Sequence, residues 1–393
     1  MFCCLAEDSV DCVAPKDQLS SCEDLLRNRV LRVAIWMLGF SAFIGNFFVI
    51  IWRYRIHDRV PSKKVQTFLI LNLAIADLLM GIYMIVIASA DMYFRDVYMI
   101  HAERWQSSAL CQITGFLSVL SSEASVFLLT LITFDRFLGV VFPFSKFRLR
   151  TKSSRIAAAF VWTVAVLLSL LPITLQEVFG DRFYGRSSVC LALPLTNERT
   201  PGWEYSVIVF LGINLFLFII IFICYFIMYV AIKRASRQCT RKRENMEEIK
   251  MATKMAIIVG TDFCCWMPII IMGLLSLSDK VTIPHEMYAW AAVFILPVNS
   301  SANPYLYTIS TLEMKRRRNR SPVSTASTQN MNAWKTEPSR DYSELEMKPF
   351  NNSLDKGRRR AAHKSNYFHG KKSSILNGAY SVSTCYSFSL LIH

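Results

Sequence analysis

The chain has 393 residues, of which 53% are hydrophobic and 13% are aromatic, and its mean hydropathy is +0.32. A soluble protein of this length would alternate core and surface patterns over about two or three domains. Here the apolar residues instead form blocks of about 20, the length that crosses a bilayer as a helix. The net charge of +15 comes largely from alternate loops between these blocks and from the C-terminal residues that follow the last block. It therefore describes one face of a membrane protein and does not indicate nucleic-acid binding.

Seven apolar blocks follow one another along the chain, and we name them span one to span seven. In chain order they are Val33–Trp52, Thr67–Ala90, Ala109–Phe142, Ile156–Leu175, Tyr205–Ile232, Met251–Leu277 and Met287–Ile309. One such block would fit the core of a large soluble protein, but seven in series do not. The sequence thus predicts an all-α membrane protein built as a bundle of seven transmembrane helices.

Lysine and arginine are concentrated in alternate loops. The loops after spans one, three and five, together with Lys254 at the start of span six, carry 18 of them, whereas the N-terminal segment and the other loops carry markedly fewer. Because loops rich in lysine and arginine stay in the cytoplasm, we expect the N-terminus outside the cell and the C-terminus inside. The chain is accordingly expected to be a multi-pass membrane protein.

The chain divides into three segments by composition. Residues 1–30 form an extracellular segment that contains cysteines, residues 31–310 hold the seven spans, and residues 311–393 have the composition of a disordered cytoplasmic tail. The basic run KRRRNR at the start of the tail is expected to contact anionic membrane lipid. Cys111 and Cys190 also fall on the outer side, where disulfides persist, and could bridge. The cysteines of the first segment, whose pairing stays open, are Cys3, Cys4, Cys12 and Cys22.

Polar residues interrupt the spans at membrane depth, where such residues usually face the protein interior and mark function. They are Asn46, Asp77, Ser121, Ser122, Glu123, Ser125, Asp262, Asn299, Ser300 and Asn303. They can simply hydrogen-bond neighbouring helices, at about 0.6 kcal/mol each. Asp77 needs stronger compensation than one such hydrogen bond, because an unpaired carboxylate at this depth costs several kcal/mol. It must be neutralised, bind a cation or meet hydrogen-bond donors.

Short motifs occur in a fixed order through the spans. They are GN at 45–46, LAIADLL at 73–79, Cys111 at the outer end of span three, DRF at 135–137, Trp162 in span four, CWMP at 265–268 and NPYLY at 303–307. With these motifs at this spacing, the chain resembles the rhodopsin-like G-protein-coupled receptors over residues 30–315. The resemblance implies a receptor that couples to a heterotrimeric G protein and is not an enzyme.

The resemblance implies a central polar pocket that takes up a sodium ion in the inactive state, and no other cofactor. Its residues would be Asp77, Ser125, Asn299 and Asn303. Asp262 in span six adds an acid that most such receptors lack and that could change the pocket. Pro304 would break the hydrogen-bond ladder of span seven, so that a vacated carbonyl can join the polar network.

The resemblance also implies a switch at the cytoplasmic side. Arg136 would be held by Asp135 and by Glu248 at the base of span six, until span six swings outward and Arg136 meets the G protein. Phe137 stands where the usual residue is tyrosine, which removes a hydroxyl but leaves the arginine intact. The other residues of the switch are the hinge pair Trp266 and Pro268, the bend at Asn303 and Pro304, and Tyr307, which would swing towards Tyr225.

Longer stretches resemble the leucine-rich-repeat-containing receptors, and the relaxin-type branch more than the glycoprotein-hormone branch. They are ADLLMGIY at 76–83, FRDVY at 94–98, HAERW at 101–105, FLGIN at 210–214, TDFCCWMP at 261–268 and FILPVNS at 294–300. Those receptors carry a repeat ectodomain that captures a protein hormone. Only residues 1–32 precede span one here, so we expect either a partial sequence or a short receptor that never had the ectodomain.

The function implied is a hormone receptor that activates the stimulatory G protein and raises cyclic AMP. A peptide or protein hormone would bind outside, and arrestin could bind the tail. Two alternatives stay open within the class: a glycoprotein-hormone-type receptor, and a truncated form that pairs with a full-length receptor and damps it. A transporter would show inverted repeats, and an intramembrane hydrolase would need a nucleophile beside a base. Neither pattern is evident in the sequence.

Overall fold

The computed structural model describes residues 20–21, 23–55, 61–142, 148–192, 201–237, 243–277, 290–295 and 297–306. All of them belong to the first of two compact units, Met1–Arg317, while the second, Arg318–His393, lies outside the described residues. The four cysteines of the N-terminal segment also lie outside them, so that their pairing stays open: Cys3, Cys4, Cys12 and Cys22.

Each predicted span contains a helix. Spans one to four are Arg29–Arg55, Pro61–Tyr93, Ala109–Val141 and Thr151–Thr174, and span six is Arg243–Leu277. Span five combines Trp203–Ser206, the π-helix Val207–Ile213 and Asn214–Arg237, and span seven combines the π-helix Ala291–Ile295 with helical residues 297–306. Within the described ranges, six helices are long and apolar enough to cross a membrane. With the further helix of span seven, they confirm the predicted seven-helix bundle.

Several helices begin or end beyond the apolar blocks, because their polar ends reach past the hydrocarbon. Span two begins at Pro61, where a proline is well tolerated because the first helical N–H has no helical acceptor. Span three begins after Ser108, whose side chain accepts a hydrogen bond of 3.1 Å from the backbone N–H of Cys111. This serine is an N-cap, which satisfies one of the unpaired N–H groups at the helix start.

Span three lies at the centre of the bundle, since its buried residues occur on all its sides. The outer spans instead expose large apolar side chains to the lipid, among them Phe47 (52%), Phe160 (69%) and Phe222 (64%). Helices in lipid gain little from hydrophobic burial against each other, so close packing on small residues matters. A Cβ atom built on Gly81 of span two would lie 2.6 Å from the backbone nitrogen of Phe43 in span one. Only glycine permits this approach.

The outer loops fold back onto the bundle. The first extracellular loop contains a helix, Tyr98–Gln106, and the second extracellular loop contains the short elements Gln176–Phe179 and Tyr184–Arg186. The disulfide between Cys111 and Cys190, with 5.4 Å between the Cα atoms, joins the second loop to span three. The predicted bridge between these two cysteines is therefore confirmed.

Candidate functional site

Asp77 is fully buried in span two and accepts hydrogen bonds from three side chains. Ser125 Oγ donates to Asp77 Oδ1 at 3.2 Å and Ser300 Oγ approaches the same oxygen at 2.9 Å. Asn303 Nδ2 donates to Oδ2 at 2.9 Å. The carboxylate thus meets donors from spans three and seven. Its burial is compensated in this way by hydrogen bonds, one of the three possibilities expected from the sequence.

Asp262 extends this network into span six. Asn299 Nδ2 donates to Asp262 Oδ1 at 2.5 Å, and Asn299 Oδ1 accepts the backbone N–H of Ser300 at 2.5 Å. Ser300 Oγ lies 3.2 Å from Asn299 Oδ1 as well as near Asp77. Asn299 and Ser300 therefore connect the two acids, and all four side chains are buried. The structure brings together every residue assigned to the polar pocket.

The break at Pro304 allows span one to join the same network. Since proline has no N–H, the carbonyl four residues earlier, on Ser300, loses its helical donor. Asn46 Nδ2 of span one donates to this carbonyl at 2.9 Å. Gly45 beside it packs directly on the proline, because a Cβ built there would lie 2.9 Å from the Pro304 ring. The vacated carbonyl expected at this bend is thus held by a neighbouring span.

The donor set of this pocket fits a small hard cation. Carboxylate, amide and hydroxyl oxygens are the ligands that such ions prefer in proteins. Two buried oxygens of the network, Asp262 Oδ2 and Asn303 Oδ1, have no hydrogen-bond partner among the described residues. With Asp77, Ser125 and Asn299, they are the groups that would hold a sodium ion.

A second buried acid, Glu123 in span three, lies apart from this pocket. Asn214 Nδ2 of span five donates to Glu123 Oε1 at 3.2 Å, and both side chains are 0% exposed. Asn214 directly follows the π-helix Val207–Ile213. The polarity of Glu123 is visible in the sequence, but its partner is not, because a π-helix breaks the 3.6-residue period on which face assignments depend.

At the cytoplasmic end, Arg136 forms a buried ion pair with Asp135, its neighbour in span three. The Tyr225 side chain of span five lies near Thr133 and Arg136. Glu248 lies on the span-six helix, but its side chain is outside the described residues, as is the whole of Tyr307. The structure thus places one half of the expected latch, and the roles of Glu248 and Tyr307 stay predictions.

Trp266 lies on the same helix as Asp262, on the outer side of the polar network. Its side chain is 2% exposed, and its ring centroid lies 6.3 Å from that of Phe218 in span five. It stands one turn from Asp262 and two residues before Pro268, the proline inside the span-six helix. A change in the packing around Trp266 would therefore act at the place where span six is least constrained by backbone hydrogen bonds.

The N-terminal residues 23–28 are docked on the outer end of the bundle, a contact that the sequence did not reveal. Leu25 and Leu26 are almost fully buried, and the Leu26 N–H donates to Asp91 Oδ1 at 2.8 Å. Arg32 of span one lies 2.8 Å from Asp91 Oδ2 and 2.7 Å from Asp24 Oδ2. The apolar pair in CEDLL is the one signal that could have predicted this docking.

The second extracellular loop is held against the outer end by side chains of three other elements. Tyr83 of span two donates its hydroxyl to Val189 O at 2.9 Å, and Trp105 Nε1 of the first extracellular loop donates to Ser188 O at 2.8 Å. With the disulfide at Cys190, these bonds fix three successive residues of the loop. The second extracellular loop is therefore fixed to the outer end of the bundle at these residues.

Comparisons with known proteins agree with this geometry. The profile of the family described as 7 transmembrane receptor (rhodopsin family) matches residues 45–307. The chain is 47% identical to the G-protein coupled receptor GRL101 of Lymnaea stagnalis over 79% of this chain and 27% of that protein. It is 36% identical to relaxin receptor 2 of Homo sapiens (79% and 41%) and 33% identical to the thyrotropin receptor of Felis catus (80% and 39%). The chain spans less than half the length of each of these relatives.

Proposed function

Because the chain belongs to the rhodopsin family of seven-transmembrane receptors in the plasma membrane, we propose that it transmits hormone binding outside the cell to a heterotrimeric G protein inside. The partner proposed is the stimulatory G protein, with a rise in cyclic AMP as the result. The observation that carries this proposal is the buried network around Asp77, which joins spans one, two, three, six and seven by side-chain hydrogen bonds.

Such a network supports a switch because it can exist in more than one arrangement. Each of its members can exchange a partner without exposing a charge to lipid, provided that a neighbour or an ion takes its place. Three of its side chains, Asn299, Ser300 and Asn303, lie beside the Pro304 break in span seven. A bend at that proline would therefore alter several bonds together, which is what a two-state element requires.

The ligand proposed is a peptide or protein hormone. The relatives include relaxin receptors and a thyrotropin receptor, and the stretches FLGIN and FRDVY favour the relaxin-type branch, with a glycoprotein-hormone-type receptor as the alternative. We assign a sodium ion to the Asp77 pocket in the inactive state. Arrestin and anionic lipid are proposed partners of the tail, which lies outside the described residues.

The experiment that tests the proposed function measures cyclic AMP in cells that express this chain at the surface. Arg136→Ala removes the guanidinium that would meet the G protein, so basal and hormone-evoked cyclic AMP are expected to fall to the level of untransfected cells. Arg55→Ala, at the cytoplasmic end of span one and exposed, is the matched control and should signal normally. Equal signals from wild type and Arg136→Ala, at equal surface delivery, would overturn the proposal.

A further inference from the structure

Span four contains a proline near its outer end that opens the hydrogen-bond ladder of the helix. Pro172 is buried and lies inside the helix Thr151–Thr174. Because proline has no N–H, the carbonyl of Leu168, four residues earlier, loses its helical donor and is pushed aside by the ring. An unpaired carbonyl in a membrane span is costly, so another group must donate to it.

Two tyrosine hydroxyls donate to this opened turn. Tyr205, at the outer end of span five, donates to Leu168 O at 2.6 Å, and Tyr184 of the second extracellular loop donates to Ser169 O, also at 2.6 Å. Both tyrosines are buried, at 8% and 0% exposure, and burial raises the pKa of Tyr184 above its usual range, so its hydroxyl keeps the proton it donates. Two adjacent carbonyls of span four, on Leu168 and Ser169, therefore bind span five and the second extracellular loop.

The loop and the start of span five pack as one unit around these tyrosines. The rings of Phe179, Phe183 and Tyr205 meet edge to face, with centroids 5.3 to 5.6 Å apart. The Arg186 guanidinium lies 4.8 Å from the Phe183 ring centroid and donates to Phe179 O at 2.6 Å and to Pro201 O at 2.5 Å. A movement of the loop would therefore carry the outer end of span five with it.

Span five passes such a movement to spans three and six. The π-helix begins two residues after Tyr205 and ends at Ile213, directly before Asn214, the partner of Glu123 in span three. Within it, Leu211 lies against Gly273 of span six, where an added Cβ would come within 2.5 Å of the leucine side chain. Gly273 is five residues beyond Pro268, on the outer part of span six.

We propose that Tyr205 and Tyr184 are positioning residues that tie span five and the second extracellular loop to the opened turn of span four, and so restrain the receptor in its resting state. This inference rests on the proposed function. The hydroxyl bonds exist in the arrangement in which Arg136 is paired with Asp135. Removing them lowers the stability of that arrangement relative to others, which shifts the population towards signalling.

The first test does not depend on signalling. Hydrogen–deuterium exchange of residues 203–213 is measured in the purified receptor in nanodiscs, for wild type, Tyr205→Phe and the matched control Tyr93→Phe, whose tyrosine is 80% exposed. Tyr205→Phe keeps the ring and is expected to raise exchange by about fivefold, the factor for the loss of one net hydrogen bond. Tyr93→Phe should leave it unchanged. Equal exchange in all three proteins would overturn the proposal.

The second test asks whether the proline is the cause. Pro172→Ala supplies an N–H that competes for Leu168 O, so it should raise exchange in residues 203–213, and Tyr205→Phe should add little on that background. The effects of two substitutions on exchange are non-additive when the two groups take part in one interaction. Additive effects would contradict the assignment of the Leu168 carbonyl as the shared acceptor.

The third test measures basal cyclic AMP per receptor at the surface, a readout that a merely structural role would not raise. Tyr205→Phe and Tyr184→Phe are expected to increase it about fivefold, by the same hydrogen-bond factor, while Tyr93→Phe has no effect. An unchanged signal in a receptor whose Arg136-dependent signal is present would refute the positioning role. Absence of any Arg136-dependent signal would instead count against the proposed function. The exchange measurements would still decide whether the tyrosine hydroxyls restrain span five.

Discussion

Asp77 is a buried carboxylate whose hydrogen-bond donors come from two other spans, Ser125 on one side and Ser300 with Asn303 on the other. A single residue of this kind couples helices because its burial is tolerable only while the donors or a cation remain. Asp262 belongs to the same network, because its donor Asn299 is itself hydrogen-bonded to Ser300, a donor of Asp77. The two acids therefore depend on one set of partners.

The sodium site proposed at Asp77 predicts an ion-specific gain in stability. Sodium chloride should raise the melting temperature of the purified wild-type receptor above the value in equal choline chloride, because an ion that binds only the folded state stabilises it. Asp77→Asn removes the charge and should abolish the difference. Asp96→Asn, at an exposed acid of the first extracellular loop, should retain it. An equal sodium effect in Asp77→Asn would place the ion elsewhere.

Much of this chemistry is visible in the sequence, because an acid or amide inside an apolar block stands out against its surroundings. The residues assigned to the pocket were singled out in the sequence, and the structure shows hydrogen bonds that connect them, while their role as a sodium pocket stays a prediction. The pairing of Glu123 with Asn214 was not predicted, because the π-helix between Tyr205 and Asn214 changes the face on which later residues lie. The docking of Leu25 and Leu26 was missed because it depends on tertiary contacts that no local period encodes.

Among the helices, close approach of spans one and two depends on glycine rather than on apolar burial. The site of contact is Gly81 against the backbone of Phe43, and Gly39 against the side chain of Met84 repeats the pattern, with 3.0 Å to an added Cβ. Helix pairs of this kind lose packing when a side chain is inserted, since lipid offers no compensating hydrophobic force.

Gly81→Ala is therefore expected to destabilise the receptor by about 1–3 kcal/mol, the usual cost of overpacking. Gly260 of span six provides a matched control within a helix, because no atom lies within 4 Å of an added Cβ there. Gly260→Ala should be neutral or stabilising by up to about 1 kcal/mol, from helix propensity alone. The melting temperatures in detergent micelles distinguish these outcomes, and equal values for the two variants would refute the packing argument.

Taken as a whole, the molecule has groups of buried polar contacts at three levels between its extracellular and cytoplasmic ends. The outer end carries the docked residues 23–28 and the second extracellular loop, the middle carries the Asp77 network, and the inner end carries the pair of Asp135 and Arg136. Fold class and orientation could be predicted from hydropathy and charge, since both depend on composition along single spans. The contacts between the layers required the structure.

The ion pair of Arg32 with Asp91 predicts that the docked N-terminal residues contribute to stability. Arg32→Met would leave a nearly buried carboxylate without its cation and is expected to cost about 3 kcal/mol, the lower end of the range for a broken buried pair. Arg182→Met, from an exposed pair with Glu103, should cost about 0–1 kcal/mol. Asp91→Asn added to Arg32→Met should recover part of the loss. No recovery, or equal costs for both arginines, would contradict this account.

The seven-helix bundle is proposed to be a G-protein switch, and nucleotide exchange in a purified system tests this without other cell components. The stimulatory heterotrimer is mixed with this chain in nanodiscs, and the binding of a non-hydrolysable guanosine triphosphate analogue is followed over time. Faster binding is expected with wild type than with empty nanodiscs, and no acceleration is expected with Arg136→Ala. Acceleration that persists in Arg136→Ala would contradict the assigned switch, and no acceleration by wild type with bound hormone would contradict the proposed coupling.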